Sequence, residues 1–109
     1  MSVSVIIPAF NAEITILRTL KSLLQQNVNG SLEVIVVNDG STDSTHKIVE
    51  EFARQHPLNI NLISTINGGE GSARNNGFPY INGKYVLFLD ADDTLADNAL
   101  LKLQEAAEE

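Results

Sequence analysis

Apolar residues gather in short unbroken runs, and each run gives way to a cluster of turn and cap residues. Val3 to Pro8 is apolar apart from Ser4 and predicts a first strand, which Pro8 ends because it cannot donate to a central ladder. Ile16, Leu17, Leu20, Leu23 and Leu24 then recur at helical spacing, with Arg18, Lys21 and Gln25 on the wetter side. Asn11 is positioned to cap this helix and Glu13 falls in its first turn. Asn27, Asn29 and Gly30 break it. Leu32 to Val37 predicts a second strand, apolar except for Glu33, and Ile48, Val49 and Phe52 mark one face of a second helix that Pro57 closes. Ile60, Leu62, Ile63 and Ile66 predict a weaker third strand. A short helix from Gly71 to Phe78, stopped by Pro79, and a turn at Asn82-Gly83 lead to Val86-Leu87-Phe88-Leu89, whose unbroken apolar character fits a strand buried on both faces. A last helix, capped by Asp97, buries Leu100 and Leu103 and ends in Glu105, Glu108 and Glu109, which are solvated. Strand and helix alternate throughout, so the fold class is α/β, an open parallel sheet with flanking helices and right-handed crossovers.

Length and charge narrow the picture. The 109 residues are enough for one small domain and no more, and no repeat, linker or low-complexity segment divides them. Fourteen acidic against seven basic residues give a net charge of -7, and no cluster of Lys and Arg exists to neutralise phosphates. Nucleic acid is therefore not the expected partner. With no cysteine, disulfides and thiolate metal sites are excluded. The start, Met1-Ser2-Val3-Ser4, lacks the basic region and apolar core of a signal peptide, and no apolar stretch reaches the length of a membrane span. The expected location is the cytoplasm.

Candidate chemistry lies where the strands end. Strand one ends in Pro8-Ala9-Phe10-Asn11, strand two in Asn38-Asp39-Gly40-Ser41, and strand four in Asp90-Ala91-Asp92-Asp93. In a parallel sheet these three ends share one edge, and ligands bind just past it. The edge gathers an aromatic ring, a carboxylate beside a glycine that permits close backbone approach, and two acids, Asp90 and Asp92, close enough to repel. A divalent cation with hard oxygen ligands is the usual compensation. Asp93 and Asp97 read more simply as turn and cap residues. His46, in the first turns of helix two, and His56, at its end, have no partner at metal-ligand spacing.

These same residues carry a resemblance. Val3 to Asn11, then Val36-Val37-Asn38-Asp39-Gly40-Ser41-Thr42-Asp43, then Asn67-Gly68-Gly69 with Ser72-Ala73-Arg74-Asn75 and Gly77, and finally Gly83 to Asp93 resemble, in order and spacing, four signatures of the amino-terminal half of family 2 glycosyltransferases. The resemblance spans nearly the whole chain. It implies a Rossmann-like GT-A nucleotide-binding half with strand order 3-2-1-4. It also implies inverting transfer of a hexose-type sugar from a nucleotide donor, UDP-linked, to a hydroxyl on a glycan or lipid. On this reading Asp39 accepts a hydrogen bond from the imide of the base. Phe10 packs near the base or is a plain core aromatic. Asp92 binds Mn²⁺ or Mg²⁺ on the diphosphate. Asp90 reaches the ribose or shares the metal, and Arg74 faces the nucleotide or pairs with Glu70 on the helix surface. Pro8, Asn11, Gly40 and Ala91 complete the nucleotide-sugar site.

Some features depart from the family. Asn38 stands where an acid is common, and Phe78-Pro79 interrupts a helix that usually continues. The acceptor half, with the carboxylate that deprotonates the acceptor hydroxyl, corresponds to sequence after Glu109, so no residue here is assigned as catalytic base. The expectation is a single truncated domain over 1–109 or a non-catalytic nucleotide and metal binder. Leu89 to Leu95 also resembles motif one of haloacid-dehalogenase phosphatases, although only sixteen residues follow Asp93, too few for that family's remaining parts. Strand order 3-2-1-4 leaves strand four as an apolar edge, which predicts self-association there or at the last helix.

Overall fold

The computed structural model describes residues 2–66 and 70–108, apart from the side chains of Glu70, Gly71 and Arg74. In chain order the elements are β1 (Ser2–Ala9), α1 (Ile16–Leu23), β2 (Ser31–Asp39), α2 (Thr45–Gln55), β3 (Asn59–Thr65), α3 (Glu70–Gly77), a 3₁₀ turn (Phe78–Tyr80), β4 (Tyr85–Phe88) and α4 (Ala99–Ala107). All strand pairs are parallel and the order is β3-β2-β1-β4.

Side chains of a strand alternate between faces, and the two central strands divide their apolar residues accordingly. Val3, Val5, Ile7 and Ala9 of β1 join Val34 and Val36 of β2 in the larger core, which Ile16, Leu20, Leu23, Val49, Phe52 and Leu100 fill from α1, α2 and α4. Ile6, Ile35 and Val37 face the other way, beneath Ala73 of α3. Two covered faces explain why β1 and β2 read as unbroken apolar runs.

The edge elements differ from expectation. β4 is not buried on both faces: Tyr85 and Leu87 pack on the larger core, but Val86 and Phe88 are each 40% exposed. Among the described residues β4 pairs only with β1. Phe88 makes an edge-to-face contact with Phe78, with centroids 5.9 Å apart. In α4, Leu103 is 54% exposed and Gln104 takes the buried position. Gln104 can lie inside because its amide is satisfied at both ends, accepting from the Asn29 amide at 2.8 Å and donating to the Asn29 carbonyl at 2.9 Å. Asp97 is not the cap; Asn98, at φ 61°, precedes the first turn. Asn11 does not cap α1, which starts after Thr15. Leu17 and Ile66, read as apolar face and strand residues, are exposed, and Thr19 is fully buried. Among the described residues no helix is long and apolar enough to cross a membrane.

A polar clamp fixes the amino edge of the sheet. Ser4 is fully buried on the α3 face, and its hydroxyl donates to Glu33 at 2.5 Å while accepting from the Gly83 amide at 2.8 Å. Glu33 also accepts from the Asn82 amide at 2.6 Å and the Asn82 side chain at 3.1 Å. The Lys84 amide donates to the Ser2 carbonyl at 3.0 Å, so the turn entering β4 is tied to both β1 and β2. Partial burial pushes the Glu33 carboxyl up. The hydrogen bonds from Ser4, Asn82 and Gly83 outweigh it and hold the pKa below its ordinary value of 4.5. A Cβ at Gly83 would lie 2.5 Å from Ser4 Oγ and 2.7 Å from the Ser4 amide nitrogen, so backbone would have to shift to admit it.

Two predictions follow from the clamp. Because the folded-state pKa of Glu33 is depressed, its contribution to stability is present above the ordinary carboxylate range and is lost as pH falls through the folded value. Glu33→Gln should flatten the acid limb of a stability-versus-pH curve and destabilise by about 1–2 kcal/mol at neutral pH, measured by urea unfolding. An unchanged acid limb would show that the clamp does not carry this linkage. Gly83→Ala should lower stability by about 1–3 kcal/mol, read as a shifted urea midpoint at constant slope.

Candidate functional site

The parallel register brings three strand ends abreast. Ala9 pairs with Asn38, Asp39 with Thr65, and Ile6 with Phe88, and the Leu89 amide continues the β1–β4 ladder to the Ile6 carbonyl at 2.9 Å. Past these ends lies a cleft of about 490 Å³. Its walls include Pro8, Phe10 and Asn11 from β1, Asp39 from β2, and Asp90, Ala91 and Asp92 after β4. Of the residues singled out in the sequence, Gly40 adjoins Asp39 at φ 74°, a backbone conformation that glycine adopts without strain. The Arg74 side chain and the Asn67-Gly68-Gly69 segment lie outside the described residues. Ala73 of the same signature lines the cleft.

Asp39 is 3% exposed and accepts from the Thr65 hydroxyl at 3.0 Å, which fixes its carboxylate at the cleft floor. Phe10 is 49% exposed, so it is a cleft-wall aromatic and not a core one. Asn38 is buried and serves the turn: its side-chain Oδ1 accepts from the Ser41 amide at 3.3 Å, and its Nδ2 lies 3.5 Å from His46 Nδ1. That histidine lies beside α2 partners, 3.5 Å from Glu50, outside the cleft lining.

The two loops over the cleft are bonded to each other. Asn11 is at φ 48°; its amide donates to Ser41 Oγ at 3.0 Å and its side chain accepts from the Thr42 amide at 2.8 Å. The Ala12 amide donates to the buried Thr45 hydroxyl at 2.8 Å. Glu13 and Asp43 exchange positions as acceptors: the Glu13 amide donates to Asp43, and the Ser44 amide donates to Glu13. Slight desolvation pushes the Asp43 carboxyl up, but hydrogen bonds from Thr45 and the Glu13 amide prevail and hold it below the usual range. Asn11 and Asp43 thus fasten loop to loop. An asparagine tolerates this left-handed geometry better than most residues, which explains its displacement from the helix cap.

Asp90, Asp92 and Asp93 are exposed, and their carboxylate oxygens lie within 4.8 Å of one another. The Asp93 amide donates to the Asp90 carbonyl at 3.0 Å, closing the turn that groups them. Asp93 is therefore both the turn residue expected and a third acid in the group, which its sequence position alone did not indicate. Hard, exposed carboxylate oxygens at this spacing suit Mg²⁺ or Mn²⁺. Thr15 also borders the cleft, and with Thr19 it bonds the Ala91 carbonyl; neither was singled out in the sequence. The available signal was a threonine on the buried face of an otherwise apolar helix, a position that requires a hydrogen-bond acceptor.

The family model described as glycosyl transferase family 2 matches residues 4–109. The Staphylococcus aureus poly(ribitol-phosphate) beta-N-acetylglucosaminyltransferase TarS is 39% identical over 92% of the chain, which covers 18% of TarS. The minor teichoic acid biosynthesis protein GgaB of Bacillus subtilis is 38% identical over 86% of the chain, 11% of its own length. Among solved structures, residues 1–349 of S. aureus TarS in complex with UDP superpose with a TM-score of 0.83 at 38% identity, covering 99% of this chain and 31% of the other. The Pyrobaculum calidifontis mannosyltransferase PcManGT, in complex with GDP-Man and Mn²⁺, gives 0.79 at 32% identity, covering 84% and 28%. The chain spans about a third or less of the length of these relatives. The segment Leu89 to Leu95, which also resembles a dehalogenase motif, lies within the family 2 match over residues 4–109. The chain belongs to glycosyl transferase family 2 and has the α/β architecture of its GT-A members.

Proposed function

We propose that this chain is the donor-binding part of a glycosyltransferase. It holds a nucleoside diphosphate sugar, UDP-linked, together with Mn²⁺ or Mg²⁺. The observation that carries the reading is the convergence on one cleft of an exposed ring (Phe10), a buried carboxylate (Asp39) and three grouped acids (Asp90, Asp92, Asp93). That set suits a base, a ribose and a charged diphosphate in succession. Phe10 offers a face for the base and Asp39 accepts from its imide N–H. Pro8, Asn11, Gly40 and Ala91 shape the wall between them. Asp90 reaches the ribose or shares the cation, Asp92 is the principal ligand, and Arg74 is the residue assigned to the nucleotide or its phosphates. UDP and UDP-GlcNAc in TarS, and GDP-Man with Mn²⁺ in PcManGT, support a donor of this class.

The parent reaction is inverting transfer to a glycan or lipid hydroxyl. The acceptor oxygen attacks the anomeric carbon from the face opposite the diphosphate. The sugar–phosphate C–O bond breaks with its electron pair going to the leaving diphosphate, and the hydroxyl proton goes to a base. A bound cation would neutralise charge on the diphosphate as it leaves. No residue of this chain is assigned as that base. A soluble nucleotide donor implies the cytoplasm as the compartment.

Among the described residues β4 pairs on one side only, which supports a second proposal, self-association through β4 and α4. A groove of about 240 Å³ lies between them, bordered by Tyr85, Leu87, Leu100 and Leu103, and Val86 and Phe88 are exposed beside it.

Calorimetric titration of UDP with Mn²⁺ present should show binding that weakens at least tenfold, about 1.4 kcal/mol, in Asp92→Ala or when the metal is chelated. A folded chain that takes up no UDP at millimolar concentration would reject the donor-binding reading. Sedimentation velocity over a concentration series should show a dimer that Phe88→Lys converts to monomer; a monomer at every concentration would reject the pairing.

A further inference from the structure

From Leu89 to Asn98 the chain has no regular structure, so its backbone N–H and C=O groups must find partners elsewhere. One stripe of α1 and its flanks supplies them. The Thr15 and Thr19 hydroxyls each donate to the Ala91 carbonyl at 2.9 Å, and Arg18 Nη2 donates to the Asp92 carbonyl at 3.3 Å. One turn further on, Ser22 Oγ accepts from the Leu95 amide at 3.2 Å. Gln26 then donates to the Ala96 carbonyl at 2.8 Å and accepts from the Leu100 amide at 2.9 Å. Positions 15, 18–19, 22 and 26 recur every three or four residues, the spacing of one helix face.

The Ala91 carbonyl is the pivot of this arrangement. It sits between the two acids of the Asp-x-Asp pair, and an oxygen with two lone pairs accepts one hydroxyl on each. The Asp90–Asp93 turn is closed on its other side by its own amide. Three like charges within 4.8 Å repel, so a turn without this anchor would relax by separating them. Thr19 is fully buried in a helix that an apolar residue would pack at least as well, and a buried hydroxyl is tolerated only when bonded.

We propose that Thr15 and Thr19 are positioning residues for the Asp90, Asp92 and Asp93 carboxylates: their paired hydroxyls hold the Ala91 carbonyl against α1 and keep the three acids within reach of one divalent cation. The inference rests on the metal reading proposed above. Its test uses the wild-type chain, the Thr15→Val/Thr19→Val double variant and the Thr15→Ser/Thr19→Ser double variant, which keeps both hydroxyls. Two readouts come from the same amide NMR spectra: hydrogen exchange at Asp92 and Asp93, and line broadening on titration with Mn²⁺ alone. The valine pair should speed exchange at those two amides at least tenfold, leave β1 and β2 amides unchanged, and weaken Mn²⁺ binding at least tenfold. The serine pair should restore both. Exchange and Mn²⁺ binding as in wild type, or an equal loss in the serine pair, would overturn the proposal. If the double valine variant does not fold, Thr15→Val at its half-buried position should show both changes in smaller degree, and their absence is equally decisive. A wild-type chain that shows no Mn²⁺ broadening refutes the metal reading itself, and the exchange comparison still decides whether the hydroxyls hold the turn.

Discussion

The double pairing of β1, parallel to β2 on one side and to β4 on the other, is the constraint on which the rest of the molecule depends. Parallel pairing leaves no freedom in where the strands finish. Once Ala9 is opposite Asn38 and Ile6 opposite Phe88, the residues that follow each strand must emerge on one edge. A one-residue slip of β4 would exchange its inward and outward side chains and carry the acids out of line with Asp39. The clamp of Ser4, Glu33, Asn82 and Gly83 sits at the opposite edge and pins the start of β4, so it opposes that slip at the far end from the cleft. Both ends of a four-residue strand are therefore fixed by polar groups as well as by its own short ladder.

The cleft edge meets a second requirement, the satisfaction of backbone groups where regular structure stops. Asn11, Glu13, Asp43 and Thr45 meet it between the first two loops, and the α1 stripe meets it for the loop after β4. These are short side chains bonding to main chain, the arrangement that leaves least rotational freedom in a loop. The walls of the cleft are in this sense prearranged: Phe10 and Asp39 project from segments whose backbone is held by neighbours.

What was legible in the sequence follows the same physics. β1 and β2 are buried on both faces, so burial alone writes their apolar runs, and the alternation of elements gives the parallel order. The strand-end acids were legible because loops carry no packing requirement that would otherwise place Asp there. The edge was not. Val86 and Phe88 look like interior residues, but β4 lies at the edge of the described sheet and both side chains are 40% exposed. Leu103 and Gln104 reverse the usual rule because Asn29, distant in sequence, offers the glutamine a backbone partner. Asn11 reads as a cap on local grounds and is instead bonded to Thr42, thirty-one residues away. The last two misses are long-range hydrogen bonds overriding a local preference, and such bonds leave no periodic trace.

The electrostatics of the cleft explain why these bonds are concentrated there. Two unit charges about 5 Å apart repel by about 1 kcal/mol in water and by severalfold more where the effective dielectric constant falls. Three exposed carboxylates on a chain already carrying net charge -7 are therefore tolerable only while solvent, or a cation, reaches them. Burying them would be far costlier, and letting them splay would remove the feature that favours a divalent ion. Exposure limits the repulsion, and a fixed backbone prevents its relief by movement. At this turn the backbone anchors come from α1; at the equally polar turn after β2 they come from the β1–α1 loop, where Asn11 and Glu13 accept from the Thr42 and Ser44 amides, and the buried Asp39 carboxylate accepts from the Thr65 hydroxyl.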